Sequence, residues 1–148
     1  MKTIIACLVS SILPVMVGAV NAQEVIGILS NNPYLKDSTS NPFGAGNKYN
    51  PNSINNPYGV YGSKYSNKSV TNSYATDAPK LYDAAGNYKG KLSTNKYDPE
   101  SISNPYGKYG SKYSLDSINN PYGAGNHFKI DSPQNPFGTG LLIIGSDN

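Results

Sequence analysis

The sequence predicts an all-β fold of low regular content. It is a tandem-duplicated, turn-rich repeat domain with two short β pairs and no substantial helix in the mature chain. Three observations carry this. A unit of the form S-x-x-N-[P/S]-[Y/F] begins at Ser38, Ser53, Ser69, Ser101, Ser117 and Ser132, in steps of 15, 16, 32, 16 and 15 residues. A near-constant period of this kind marks repeat architecture. Residues 24–74 align with 87–137 at an offset of 63, so the step of 32 is the seam of a duplication. Finally, Gly, Pro, Asn and Ser recur too densely for helices to propagate.

The unit is clearest in residues 98–123, DPESISNPYGKYGSKYSLDSINNPYG. Asp98-Pro99-Glu100-Ser101-Ile102 reads as a single capped helical turn. Asp98 accepts from the following N–H groups, and Pro99 presets φ at the first helical position. Pro105 stops it by disfavouring the α conformation at Asn104. Asn104-Pro105-Tyr106-Gly107 is then a type I β-turn, with each residue type at its favoured position. Residues 109–114 alternate large and small side chains, which predicts a short extended segment. Ile102, the aliphatic residue between the turns, is placed in the core. Its counterparts after the other serines are Thr39, Ile54, Val70, Ile118 and Pro133.

Strands are expected at four places. Residues 80–83 and 88–93 flank Asp83-Ala84-Ala85-Gly86, a hairpin in which Asp starts the turn and Gly86 takes positive φ. Residues 25–29 are apolar on both faces and have no upstream partner. Residues 141–144, Leu-Leu-Ile-Ile, have no downstream partner. Pairing 25–29 with 141–144 closes the chain N-to-C and hides two apolar edges that would otherwise invite aggregation.

Residues 1–22 read as a cleavable signal peptide, with Lys2 ahead of an apolar run from Ile4 to Val20 and compact residues before Gln23. The run is broken by Pro14 and Gly18, so a retained membrane span is not expected. The mature chain is then one repeat domain over 23–148, with a first half at 24–79 and a second at 80–145. The protein is expected outside the cytoplasm, secreted or periplasmic. Cys7 lies in the leader, so no disulfide is available after cleavage. The 12 basic residues are all Lys, scattered among nine acids with a formal charge of +3, which argues against nucleic acid as a partner. Ile, Leu, Val and Phe supply only 21 of the 126 residues after position 22. Turn chemistry and 13 Tyr must therefore carry much of the structure.

The hairpin at 81–93 and the run Tyr97-Asp98-Pro99 to Gly123 resemble a group of uncharacterised secreted bacterial proteins. These carry a YD-x-x-G-x-Y-x-G-x-L-S hairpin followed by NPYG-x-YGS-x-YS-x-DSINNPYG units. The resemblance covers mainly the second half. It implies an exported bacterial protein and implies no activity.

No catalytic residues, metal ligands or cofactors are expected. The single His, His127, aligns with Lys64, an ordinary repeat position. Asp98 and Glu100 are the only close acid pair, and capping accounts for them. Asp37, Asp98, Asp116 and Asp131 are isolated acids without a calcium-loop motif. The candidate ligand-binding residues are Tyr58, Tyr61, Tyr65, Tyr106, Tyr109, Tyr113 and Tyr122, because aromatic faces beside Asn suit sugars. Against that stands the expectation that these rings pack on Pro and Ile to make a thin core. The function predicted is an exported, non-enzymatic one: structural or surface interaction at or beyond the cell envelope, with an unknown partner, either envelope glycan or protein. A carbohydrate-binding module and a divergent hydrolase are the alternatives.

Overall fold

The computed structural model describes residues 23–146, and no helix occurs among them. The predicted leader over 1–22 lies outside the described residues. Four strands, β1 (Gln23–Leu29), β2 (Lys80–Tyr82), β3 (Tyr88–Lys91) and β4 (Leu141–Ser146), form one antiparallel sheet in the order β1-β4-β2-β3.

Both expected pairs are present. β2 and β3 form the hairpin, with Tyr82 opposite Tyr88 and a register shift before Lys80–Lys91. Its turn is built by Asp83. The Asp83 carboxylate accepts from the Ala85 N–H at 3.0 Å and the Asn87 N–H at 2.8 Å, and Gly86 takes φ +88°, a left-handed conformation that glycine adopts without strain. β1 and β4 pair from Leu29–Leu141 to Gln23–Ser146, with a bulge between Val25 and Gly27. The chain is thus closed N-to-C.

The two pairs are also joined to each other, which the sequence reading did not include. β4 pairs with β2 through Lys80–Ile144, Leu81–Ile143 and Tyr82–Leu142. A strand that is Leu-Leu-Ile-Ile, apolar on both faces, suits an interior sheet position flanked by strands on both sides. The outer edges are covered by the repeat itself. Ile28 bridges in parallel to Ser38, and Lys91 to Ser101, two contacts separated by the same 63 residues. Neither edge strand is left as an open template there.

Beyond the sheet the backbone runs as consecutive β-turns with a three-residue step. The N–H groups of Asn41, Gly44, Asn47, Asn50 and Ser53 each donate to the carbonyl three residues earlier. From Asp98 the same ladder passes through Ser101, Asn104 and Gly107, lengthens by one residue at Ser111, and continues through Ser114, Ser117, Asn120 and Gly123. Two expectations are corrected here. Residues 98–101 close as a β-turn and not as a helical turn, because the Ser101 N–H donates to Asp98 three residues back. Residues 109–114 are not extended: they are turns, since Ser111 and Ser114 are rungs of the same ladder.

The interior is narrow, and serine fills much of it. Ser38, Ser53, Ser69, Ser101, Ser117 and Ser132 are all buried. A buried hydroxyl must be hydrogen-bonded, and the unit supplies the partners. Each Oγ accepts the N–H two residues on, as in Ser101 with Ser103 at 3.0 Å. In Ser38, Ser69 and Ser101 the hydroxyl also donates to a carbonyl eight residues earlier. The apolar core is Ile26, Tyr61, Val70, Leu81, Leu92, Ile118, Ala124, Leu141 and Ile143, with Leu29, Ile54 and Ile102 packed against it.

Candidate binding surface

Each asparagine of the repeat works at both ends of its amide. In Asn104, Oδ1 accepts from the Tyr106 N–H at 2.9 Å, while Nδ2 donates to the Asp98 carbonyl at 3.1 Å. Asn41, Asn56, Asn72, Asn120 and Asn135 repeat both bonds. The first bond fixes the aromatic residue two positions on, at the outer corner of the turn. Six further Asn or Ser side chains hold an aromatic N–H in the same way, at Tyr34, Tyr49, Tyr65, Tyr97, Tyr113 and Phe128.

The result is twelve aromatic side chains that are 79–95% exposed: Tyr34, Phe43, Tyr49, Tyr58, Tyr65, Tyr74, Tyr97, Tyr106, Tyr113, Tyr122, Phe128 and Phe137. All obey [N/S]-x-[Y/F]. Their spacing is 9, 6, 9, 7 and 9 in the first half and 9, 7, 9, 6 and 9 in the second. Each step is two or three turns of the ladder, with one added residue where the step is seven.

Of the seven candidate tyrosines, five stand in this array: Tyr58, Tyr65, Tyr106, Tyr113 and Tyr122. Tyr61 does not. It is 4% exposed in the core, and its hydroxyl donates to Glu24 at 3.3 Å. Tyr109 is half-buried against β3, with its ring edge-on to Tyr88 at 5.5 Å. Gly90, at φ +102°, makes that approach possible, since a Cβ there would lie 2.7 Å from the Tyr109 Cβ. The expectation that the tyrosines as a group pack on Pro and Ile as a thin core is therefore corrected. An interior lined by serine has no room for them, and Tyr61 alone joins the buried core.

Seven members of the array were missed in the sequence reading: Tyr34, Phe43, Tyr49, Tyr74, Tyr97, Phe128 and Phe137. The signal was the short [N/S]-x-[Y/F] spacing, which the longer unit obscured. His127 fills the middle position of one such triplet and is exposed.

Asp83, Asp98 and Asp116 are turn or ion-pair residues. Burial pushes the Asp98 carboxyl up, but the Glu100 N–H at 2.9 Å and the Lys91 ammonium at 3.0 Å outweigh it and hold the group below its ordinary value. That direction is opposite to the one a general acid needs. Glu100 points elsewhere and accepts from the Tyr88 hydroxyl at 2.6 Å. Burial, reinforced by Glu100, pushes the Tyr88 phenol well above its usual range. Asp116 pairs with Lys108 at 3.7 Å. Among the described residues no three of His, Cys, Asp and Glu gather at a metal-binding distance.

A groove of about 800 Å³ lies where the first half ends and the second begins, lined by residues 73–76, Lys91 and residues 94–98. Tyr74 and Tyr97 are both among its lining residues. A smaller one of about 420 Å³ lies beside β1 and includes Phe43. Comparison with protein-family models, with curated proteins and with solved structures finds no match. No helix among the described residues is long and apolar enough to cross a membrane.

Proposed function

We propose that this is an exported, non-enzymatic protein that acts by surface contact, holding rows of aromatic rings out toward a partner at the cell envelope or beyond it. The observation that supports the reading most is the exposure of the twelve rings. Burying one such side chain contributes roughly 1.5–3 kcal/mol. A chain poor in aliphatic residues nevertheless keeps twelve of them in solvent and fixes each with its own hydrogen-bonded turn. Rigid, pre-oriented aromatic side chains bind at low entropic cost. Large exposed apolar surface on a soluble protein marks an interaction site.

The second reading is a carbohydrate-binding module. It is favoured by the polar residues next to several rings, such as Lys64 beside Tyr65, Ser73 beside Tyr74, Lys96 beside Tyr97 and Lys112 beside Tyr113, which set hydrogen-bonding groups beside a flat apolar face. The test is cosedimentation of the purified protein with isolated bacterial envelope material and with insoluble polysaccharide. A variant carrying Tyr→Ser at 58, 65, 106, 113 and 122 should stay folded and lose retention. Retention equal to that of the unaltered protein would sink the proposal.

A further inference from the structure

The halves correspond at an offset of 63 apart from a one-residue slip that is recovered one unit later, yet their two junctions differ. Where the chain closes on itself, the start of the first half is stitched to the end of the second. The Asn31 N–H donates to the Pro133 carbonyl at 2.9 Å, Asn31 Nδ2 to Gln134 Oε1 at 3.3 Å, and Asn32 Nδ2 to the Gly138 carbonyl at 3.1 Å. The offset of 63 puts Thr94 and Asn95 at the equivalent places of the internal junction. There Asn95 accepts from the Tyr97 N–H and donates its own N–H to Ser93 Oγ, but no bond of Thr94 or Asn95 crosses to residues 70–75 among the described residues. The unstitched junction is the 800 Å³ groove, within the range of about 300–1,000 Å³ common for ligand sites.

We propose that this groove is a saccharide-binding cleft. It takes a neutral pyranose chain, with Tyr74 and Tyr97 offering ring faces and Ser73, Asn95 and Lys96 offering hydrogen bonds. The chemistry of the lining selects the class. Tyr74 is 88% and Tyr97 92% exposed, so both ring faces are open to stack on an apolar sugar face. Hydroxyl, amide and ammonium groups alternate with the rings, so the occupant must present donors and acceptors along its edges. A purely apolar peptide or lipid would leave those groups unpaired at a cost. The Lys91–Asp98 pair at 3.0 Å neutralises one wall, which leaves little net charge to select an anion. The inference deepens the surface-contact reading above but rests on a separate observation, the broken correspondence between the junctions.

The test is titration of the purified protein with cellohexaose and with chitohexaose, followed by amide NMR. Millimolar sugar should shift the signals of residues 73–76 and 94–98. The double variant Tyr74→Ala/Tyr97→Ala should keep a dispersed spectrum, because both rings are in solvent, and should bind roughly tenfold more weakly or worse. Leu115→Ala, at an exposed aliphatic residue outside both the groove lining and the aromatic array, should leave the titration unchanged. Shifts centred on Tyr58, Tyr106 or Tyr122 would overturn the cleft while leaving the surface-contact reading intact. No shift at residues 73–76 or 94–98 with either sugar would overturn the cleft outright.

Discussion

Leu81 and Ile143 face each other across the centre of the sheet, and neither exposes any surface. The neighbouring pair, Lys80 with Ile144, is their counterpart under the 63-residue offset. One pair maps onto the other when the halves are exchanged. The three-pair ladder between β2 and β4 thus lies on the pseudo-two-fold that relates the two repeats. In a core this small each member carries a large share of the stability. Leu81→Ala and Ile143→Ala should each cost about 2–5 kcal/mol, read as a lower midpoint in urea unfolding. A loss no larger than that of an exposed-site control would mean this pair does not anchor the sheet.

The repeat serines should behave as core residues despite their polarity. Ser101 donates to the Ser93 carbonyl at 3.0 Å and accepts from the Ser103 N–H at 3.0 Å. Ser101→Ala keeps the volume and removes both bonds, which leaves the half-buried Ser103 N–H without its acceptor and takes one of two donors from the Ser93 carbonyl. The expected cost is about 1–3 kcal/mol. Unfolding of Ser101→Ala beside Ser103→Ala checks it, because Ser103 is only partly buried.

Close backbone approach should make certain glycines intolerant of a methyl group. A Cβ at Gly125 would lie 2.1 Å from the Ile118 carbonyl oxygen, and one at Gly110 would lie 2.1 Å from that of Asn104. Neither neighbour is the end of a flexible side chain. Gly125→Ala and Gly110→Ala should each destabilise by about 1–3 kcal/mol, measured by thermal unfolding, whereas Asn119→Ala should disturb only its bonds to Ile102 and Gly110.

Stability should fall at both ends of the pH scale. Asp98 titrates below its ordinary value when folded. Its contribution is present above the unfolded carboxylate pKa of about 3.9 and is lost as pH falls through the lower folded value. Tyr88 titrates above its ordinary value. Its contribution is present below about pH 10 and is lost as pH rises beyond that. Asp98→Asn should flatten the acid limb and Tyr88→Phe the alkaline limb of a plot of unfolding temperature against pH.

β1 and β4 were readable in the sequence because each holds a local apolar run. The hairpin was readable from its Asp-Ala-Ala-Gly turn between two short extended segments. Two apolar runs left without neighbours at opposite ends specify the closure. The join of β2 to β4 was harder, since Lys80-Leu81-Tyr82 is short and carries a lysine. The aromatic surface was misjudged for a physical reason. Hydrophobicity predicts burial only when the backbone leaves room inside. Here the ladder brings rungs so close that serine fills the interior, and the bond from Asn or Ser to the aromatic N–H sets each ring at a corner. The groove was not readable, because it arises from bonds present at one junction and lacking at the other.

The central claim is that a hydrogen-bonded turn ladder holds tyrosines in solvent and admits Tyr61 alone to the core. Photochemically induced nuclear polarisation of the purified protein reads ring access directly. Strong polarisation is predicted at Tyr34, Tyr49, Tyr58, Tyr65, Tyr74, Tyr97, Tyr106, Tyr113 and Tyr122, and none at Tyr61. Uniformly weak signals would mean the rings pack inward. Equal signals that include Tyr61 would mean the ladder does not form, and either result would contradict the account.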